Sequence, residues 1–443
     1  MSPEAVAIWM FVTLAFVIFL GHPLAFSLGG IAVVFGLLGW GGSPDVVYSL
    51  FVNKTYGVME EYVLVAVPLF IFMAQMLDVS GIAEKLFHTM HVLWGPVRGG
   101  LAIAVLMVCT VFAASTGVVG ATEVAIGLLA APNLLKRGYD IPMTAGCICA
   151  GGTLGILIPP SIMLVVYGGL TNISVGKLFA AAMMPGLTLS ALYITYVAIR
   201  CGISPEMGPP LPIEERQYTF NQKLTMIFTS LLPPLFLIGM VLGSIVAGVA
   251  TTTEAAGLGA IGAVILAICF RKLNWPAIVD SCTSTVKITS MVLTLFIGGN
   301  AFQSIFMGLG GGDAVSTVLM GLKLPPLAIM FIMMGIVFFL GMFLDWLGIL
   351  LIVIPVFAPV VQELGYEPLY FGTLICVNLQ MAFLTPPFGY SLFYLKGIAP
   401  PEMTTGLIYR GVVPFICLQW VGLIACIFYP PLVMWLPTTL FGQ

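Results

Sequence analysis

Two apolar arms flanking a small polar tip, followed by an apolar run with two prolines at its centre, limit this chain more than any other stretch. The first arm, 101–112, enters the tip Ser115-Thr116-Gly117 and Gly120-Ala121-Thr122. A second arm ends in a basic turn at Lys136-Arg137-Gly138, and the next run is interrupted at Pro159-Pro160-Ser161. A helix needs ~20 apolar residues to cross a bilayer, and neither arm has them. The pair predicts a helical hairpin that enters a membrane and turns back, set against a broken helix. Non-helical backbone survives at membrane depth only where it is buried in protein or lines a cavity.

The membrane setting follows from composition. Hydrophobic residues make up 60% of the 443 residues, charged residues 7%, and the mean hydropathy is +1.13. Soluble domains carry ~25% charged residues, so an all-α polytopic membrane protein is expected, with room for roughly ten to twelve spans. The fifty glycines and thirty prolines suit close helix contacts and broken helices. A net charge of −3 offers nothing to a nucleic acid. Nine cysteines lie mostly inside apolar runs, where they read as small packing residues. Cys147 and Cys149 have no second pair nearby, and His22, His88 and His91 are too scattered for a zinc or haem centre. No basic segment precedes the first apolar run, which therefore reads as a retained span rather than a cleaved signal.

Runs at about 5–20 and 24–40, joined by Gly21-His22-Pro23, read as the first two spans, with others at 62–78 and 176–199. Residues 44–57 and 81–100 are amphipathic, as for helices lying along an interface. The one long hydrophilic loop, 200–223, is the predicted cytoplasmic linker between two halves, 1–199 and 224–443. The second half has spans at 224–243, 253–270 and 288–308 and an amphipathic stretch at 274–287. It continues with apolar runs at 327–344 and 347–361 around Asp345, then a run from 369 that breaks at Thr385-Pro386-Pro387 and resumes to Lys396. A last apolar segment covers about 406–437.

The halves align without a gap. Pro132 with Pro359, Gly138-Tyr139 with Gly365-Tyr366, and Pro159-Pro160 with Pro386-Pro387 are each separated by 227 residues. Nearby, Ala25 and Gly29 match Ala255 and Gly259 at 230. Two hairpins are predicted, at about 101–137 and 327–362, each followed by a broken helix, at 141–171 and 368–396. The turn of the first carries Lys136-Arg137, whereas that of the second carries Glu363 and Glu367 and no base. Under the positive-inside rule the first hairpin opens from the cytoplasm and the second from outside. Inverted repeats whose hairpins meet at the midplane are a way to build a substrate and ion site in a secondary transporter.

Tips and breaks present free backbone N–H groups and carbonyls. Carbonyls and hydroxyls suit a hard cation such as Na⁺, and helix N-termini attract carboxylates. One candidate sodium site joins Ser115, Thr116 and Gly117 to Gly155, Ile158 and Pro159, mostly through carbonyls. Its counterpart joins Gly341 and Asp345 to Thr385, Pro386 and Pro387. Thr116, Ser161, Asp345 and Asn378 are the candidates to meet a polar substrate. Each hydroxyl has a bland alternative, a bond back to its own helix. Among the acids, Asp345 at a tip favours function, Glu123 divides evenly between a structural hydrogen bond and function, and Glu254 reads as an N-terminal helix charge. Lys287 and Lys396 are expected to snorkel to an interface.

The motifs GGTLGILIPPSIMLVVYG, LLKRGYD, FLDWLGILLIVIP and NLQMAFLTPPFG resemble the large membrane subunit, the DctM-type permease, of TRAP (tripartite ATP-independent periplasmic) transporters. The resemblance covers nearly the whole chain. It implies an elevator-type, Na⁺-coupled importer of the bacterial inner membrane with scaffold and transport domains. It also implies a small organic-acid substrate, a small four-helix membrane subunit (DctQ-type), and a periplasmic substrate-binding protein (DctP-type). Ion sites at the two tips and breaks are implied as well. The first tip, Ser115-Thr116-Gly117-Val118-Val119-Gly120, departs from the commoner Ser-Gly-Ser type.

No G-x-x-x-x-G-K-[ST] loop occurs, so ATP is not expected to drive the chain directly. A membrane-embedded enzyme would need a cluster of nucleophile and base that three scattered histidines do not supply. Within transport, the alternative is a stand-alone Na⁺-coupled organic-anion symporter that needs no binding protein.

Overall fold

A computed structural model describes residues 3–212, 218–387 and 389–442. The centre of the hydrophilic linker (213–217) and Phe388, within the second broken helix, lie outside the described residues. Every long element is a helix, and no strand occurs among the described residues.

The first half runs α1 (Pro3–Phe19), α2 (Leu24–Gly39), α3 (Pro44–Glu60), α4 (Ala66–Val79), α5 (Ile82–Trp94), α6 (Gly100–Thr116), α7 (Val119–Lys136), α8 (Ile141–Thr153), α9 (Ile162–Thr171) and α10 (Val175–Ile203). The second half runs α11 (Phe220–Ser230), α12 (Leu232–Val246), α13 (Thr252–Cys269), α14 (Trp275–Gly308), α15 (Gly311–Gly321), α16 (Pro326–Gly341), α17 (Trp346–Glu363), α18 (Pro368–Leu384), α19 (Tyr390–Ile398), α20 (Thr405–Phe428) and α21 (Pro431–Phe441).

The separation read from the prolines returns in the element bounds. Helices α7 and α17 begin and end 227 residues apart, as do the starts of α8 and α18 and the ends of α9 and α19. Packing between the halves is reciprocal. Helix α2 packs on α14 while α13 packs on α4; α8 packs on α20 while α18 packs on α10; α7 packs on α19 while α17 packs on α9. Helix α14 also packs on α4, so α2, α4, α13 and α14 form one cluster. The other four pairings join the second arm of each hairpin and both broken helices to the opposite half.

Seven helical segments among the described residues are long and apolar enough to cross a membrane: 62–79, 175–203, 220–246, 252–269, 275–308, 346–363 and 405–428. The sequence suggested ten to twelve. The remaining apolar helices, including α2, α6, α16 and α18, are shorter because turns or proline breaks stop them. The last apolar segment also divides, at Tyr429-Pro430, into α20 and α21.

The expected amphipathic stretch 274–287 and span 288–308 form one 34-residue helix, α14. At about 1.5 Å per residue it is about 51 Å long, well beyond a ~30 Å hydrocarbon core. In the first half the same region is two helices, because Glu61 takes an extended conformation (φ −69°, ψ 98°) between α3 and α4.

Local chemistry sets several boundaries. Asp140 caps α8 through the Met143 N–H at 2.9 Å, and Asn274 caps α14 through Ala277 N–H at 2.9 Å. Thr251 and Glu254 form a reciprocal capping box on α13, which gives Glu254 the structural role expected of it. The Tyr139 hydroxyl accepts from Leu101 N–H at 3.1 Å, so the loop after α7 supplies a partner for the first turn of α6 and closes the hairpin at its base. The amphipathic α5 is tied to the second half by Ser230–Thr89 (2.9 Å) and by the Lys85 ammonium, 3.9 Å from the Phe270 ring centroid.

Candidate functional site

The first tip is two residues long. Helix α6 ends at Thr116, Gly117 turns left-handed (φ +65°), Val118 is extended, and α7 begins at Val119. The Gly117 N–H closes α6 on the Ala113 carbonyl at 3.0 Å. Both conditions at Gly117 select glycine: the positive φ, and a Cβ position only 2.8 Å from the Pro160 carbonyl oxygen. The tip therefore rests directly on the break of the next helix. In that break a short 3-10 turn at Leu154–Ile156 gives way to non-helical backbone that ends at Ser161, the N-cap of α9. Gly155 faces the tip in return; a Cβ there would lie 3.5 Å from the Val118 carbonyl oxygen and 3.6 Å from Ala113.

The polar side chains of this centre are fully buried. Thr116 and Thr122 hydroxyls pair at 2.7 Å, bridging the two arms across the tip. The Ser115 hydroxyl donates back to the Val111 and Phe112 carbonyls (2.9 and 3.0 Å), and the Ser161 hydroxyl donates to the Ile156 carbonyl. The Ile158 side chain points away from the tip, against Gly186 of α10. The structure thus brings Ser115, Thr116, Gly117, Gly155, Pro159 and Ser161 to one place and leaves Ile158 with its backbone alone.

The second centre is built in the same way with different residues. Helix α16 ends at Gly341, a turn follows, and Asp345 is the extended N-cap of α17 (φ −68°, ψ 152°), which sets its carboxylate at the positive end of that helix. Gly341 lies against Ala382 in the last turn of α18. Thr385 ends α18 with its hydroxyl bonded back to Met381 O at 2.7 Å, and Pro386 follows in the break. Gly389 N–H then donates to Thr385 O at 3.1 Å before α19 begins. Gly341 thus comes to the last turn of α18, which Thr385, Pro386 and Pro387 follow, and Asp345 lies four residues further along at the start of α17.

Asn378 is not brought to either tip. It sits two helical turns before Thr385, about 10 Å along α18, with its Nδ2 donating to the Met334 carbonyl of α16 at 2.6 Å. It clamps an arm of the second hairpin to the second broken helix.

Helix α19, which follows the second break, packs on α7 of the first hairpin. Gly120 of that hairpin lies against the Tyr394 ring, 3.1 Å from a Cβ position to Cζ. Two features went unassigned from sequence. Glu123, fully buried on α7, accepts from the Ser391 hydroxyl of α19 at 2.9 Å. Gln380, fully buried on α18, has no hydrogen-bond partner for either side-chain polar atom among the described residues. The available signal was polarity inside an apolar run, but its meaning depends on which helix lies opposite. No group of three or more His, Cys, Asp or Glu able to hold a metal occurs among the described residues.

A multi-pass helical bundle with two hairpins set on two interrupted helices defines a membrane transport protein. The comparisons give the family. The family described as "Tripartite ATP-independent periplasmic transporter, DctM component" matches residues 11–432, and the chain belongs to it. It is similar to the C4-dicarboxylate TRAP transporter large permease protein DctM of Pseudomonas aeruginosa, 31% identical over 90% of this chain and 91% of that protein. The Ectoine/5-hydroxyectoine TRAP transporter large permease protein UehC of Ruegeria pomeroyi is 30% identical, over 98% of this chain and 99% of that one. Among solved structures, the YdaH transporter of Alcanivorax borkumensis shares the fold, with a TM-score of 0.62 at 16% identity over 98% of this chain and all of that one. The protein is a transporter permease subunit, not an enzyme.

Proposed function

We propose that the chain imports a small organic acid across the bacterial inner membrane, coupled to Na⁺, with the two hairpins and two broken helices moving as one block past the remaining helices. The observation that carries this reading is the seating of Gly117 on the Pro160 carbonyl and of Gly341 on α18. The first tip is closed onto its helix break and the second onto the last turn of α18, just before its break, where carbonyls and hydroxyls collect. Na⁺ is the cargo such oxygens suit. Ser115, Thr116 and Gly117 with the backbone of Gly155, Ile158 and Pro159 form the first ion site, and Gly341 and Asp345 with Thr385 and Pro386 form the second. Thr116, Ser161 and Asp345 face the substrate, whose carboxylate is met by the N-terminal dipoles of the broken helices. The inverted orientation of the halves is supported by Lys136-Arg137 at one hairpin base and Glu363 and Glu367 at the other.

The word "tripartite" in the family's description supports two partners, a small DctQ-type membrane subunit and a DctP-type periplasmic binding protein. Relatives whose names specify a C4-dicarboxylate or ectoine support a small carboxylate-bearing solute as the substrate class. Uptake by the reconstituted complex tests the whole reading. Transport should require an inward Na⁺ gradient and the loaded binding protein; uptake without either would leave the stand-alone symporter or an uncoupled pathway.

A further inference from the structure

The Glu123 carboxylate is buried where acceptors outnumber donors. Its Oε1 takes the Ser391 hydroxyl at 2.9 Å, the same hydroxyl lies 3.4 Å from the Cys149 carbonyl, and its Oε2 has no partner among the described residues. One hydrogen cannot serve all three oxygens. The Cys149 thiol is a second, weak donor, shared between the Ser391 carbonyl at 3.9 Å and the Glu123 carboxylate. The titratable groups that face the carboxylate from the helices packed around it are Cys109 of α6, Cys149 of α8 and Tyr394 of α19. Among the described residues, no lysine, arginine or histidine is among the groups acting on it.

The equivalent positions in the repeat are apolar. Stepping 227 residues takes Glu123 to Leu350 of α17, Ser391 to Leu164 of α9 and Cys149 to Cys376 of α18, all three fully buried, and α17 packs on α9. Packing alone is therefore satisfied by two leucines. Replacing a buried charged group by well-packed apolar residues is often neutral or stabilising. An intramembrane acid kept without a basic partner points to a transported or coupling ion.

We infer that Glu123 Oε2, the Ser391 hydroxyl and the Cys149 carbonyl form a further site for a monovalent cation, Na⁺ or H⁺, inside the block and distinct from the two tips. The site lies between a helix of the first hairpin and a helix of the second half, so its occupancy also bears on how those two elements hold together. The inference rests on the transport reading above, and its test keeps the two apart.

The complete transporter is reconstituted in liposomes with wild-type, Glu123→Gln, Ser391→Ala and the double variant Glu123→Leu with Ser391→Leu, which copies the mirror contact. Sodium-22 taken up per substrate is counted, and initial rates are followed against external pH. If Na⁺ is held, Glu123→Gln and the double variant reach the membrane and carry one Na⁺ fewer per substrate. If H⁺ is held, the Na⁺ count is unchanged and the wild-type pH dependence flattens in both. Wild-type rate, Na⁺ count and pH profile in the double variant overturn the inference and leave a structural hydrogen bond. Should Glu123→Gln fail to assemble, Ser391→Ala is read against the same three quantities and decides in the same way. Absence of Na⁺ dependence in the wild type would instead sink the coupling reading.

Discussion

At Gly117 a methyl group has no room. Its Cβ would stand 2.8 Å from a carbonyl oxygen of the helix break, on a backbone at φ +65° that costs an L-residue roughly 1–2 kcal/mol. Gly117→Ala should therefore assemble but hold the tip off the break. Substrate uptake at saturating Na⁺ is expected to fall at least tenfold, with the complex still recovered from membranes in wild-type amount; normal uptake would show that the close seating is not needed. Asp345 allows a cleaner separation of charge from structure. Asparagine serves as well as aspartate at an N-cap, so Asp345→Asn should keep the start of α17 while removing the charge. The expected result is a several-fold higher Na⁺ concentration for half-maximal uptake. Unchanged Na⁺ activation would remove Asp345 from the ion site. Asp345 stood out as a candidate because an acid at the junction of two apolar runs has few structural reasons to be there. Glu123 was ambiguous for the opposite reason, since its meaning depends on Ser391, 268 residues away.

Among the elements, α18 is held to α16 by the Asn378–Met334 bond, a structural contact for a residue its position had suggested for the substrate. Asn378→Ala removes a buried hydrogen bond to a carbonyl that its own helix still serves, a loss of about 0.5–1.5 kcal/mol. A lower thermal midpoint with unchanged substrate preference is expected. Lost uptake at unchanged stability would instead return Asn378 to the substrate site. The hairpins and broken helices were readable as elements because glycine, paired prolines and polar tips interrupt apolar runs at one constant spacing. The continuity of α14 was not. Lys287 marks no break there, whereas Glu60-Glu61 does between α3 and α4, and only the folded chain distinguishes a charged residue inside a long helix from one that ends it.

For the whole molecule, the proposed sliding block makes a prediction about motion. Leu64, just before α4, lies 3.5 Å from a Cβ position at Gly169 of α9, a contact between the proposed block and the helices outside it. Met73 and Gly259 join α4 to α13, both outside the block. A short thiol cross-linker applied to Leu64→Cys with Gly169→Cys, in a chain whose exposed Cys269, Cys282 and Cys417 are serine, should stop uptake until it is cleaved. The same treatment of Met73→Cys with Gly259→Cys should leave uptake largely intact. Equal inhibition of both pairs would count against a block that slides as one body. The sequence by itself determined that this is a helical membrane protein of two similar halves, because apolar content, interruptions and turn charge are local quantities that no packing can alter. It also located the two tips. Only the tertiary structure decided which helix each tip rests on, that α19 of the second half packs on the first hairpin, and that Glu123 is enclosed without a basic partner among the described residues. Those facts rest on contacts between residues hundreds of positions apart, and a single chain read in order carries no record of which of its helices become neighbours.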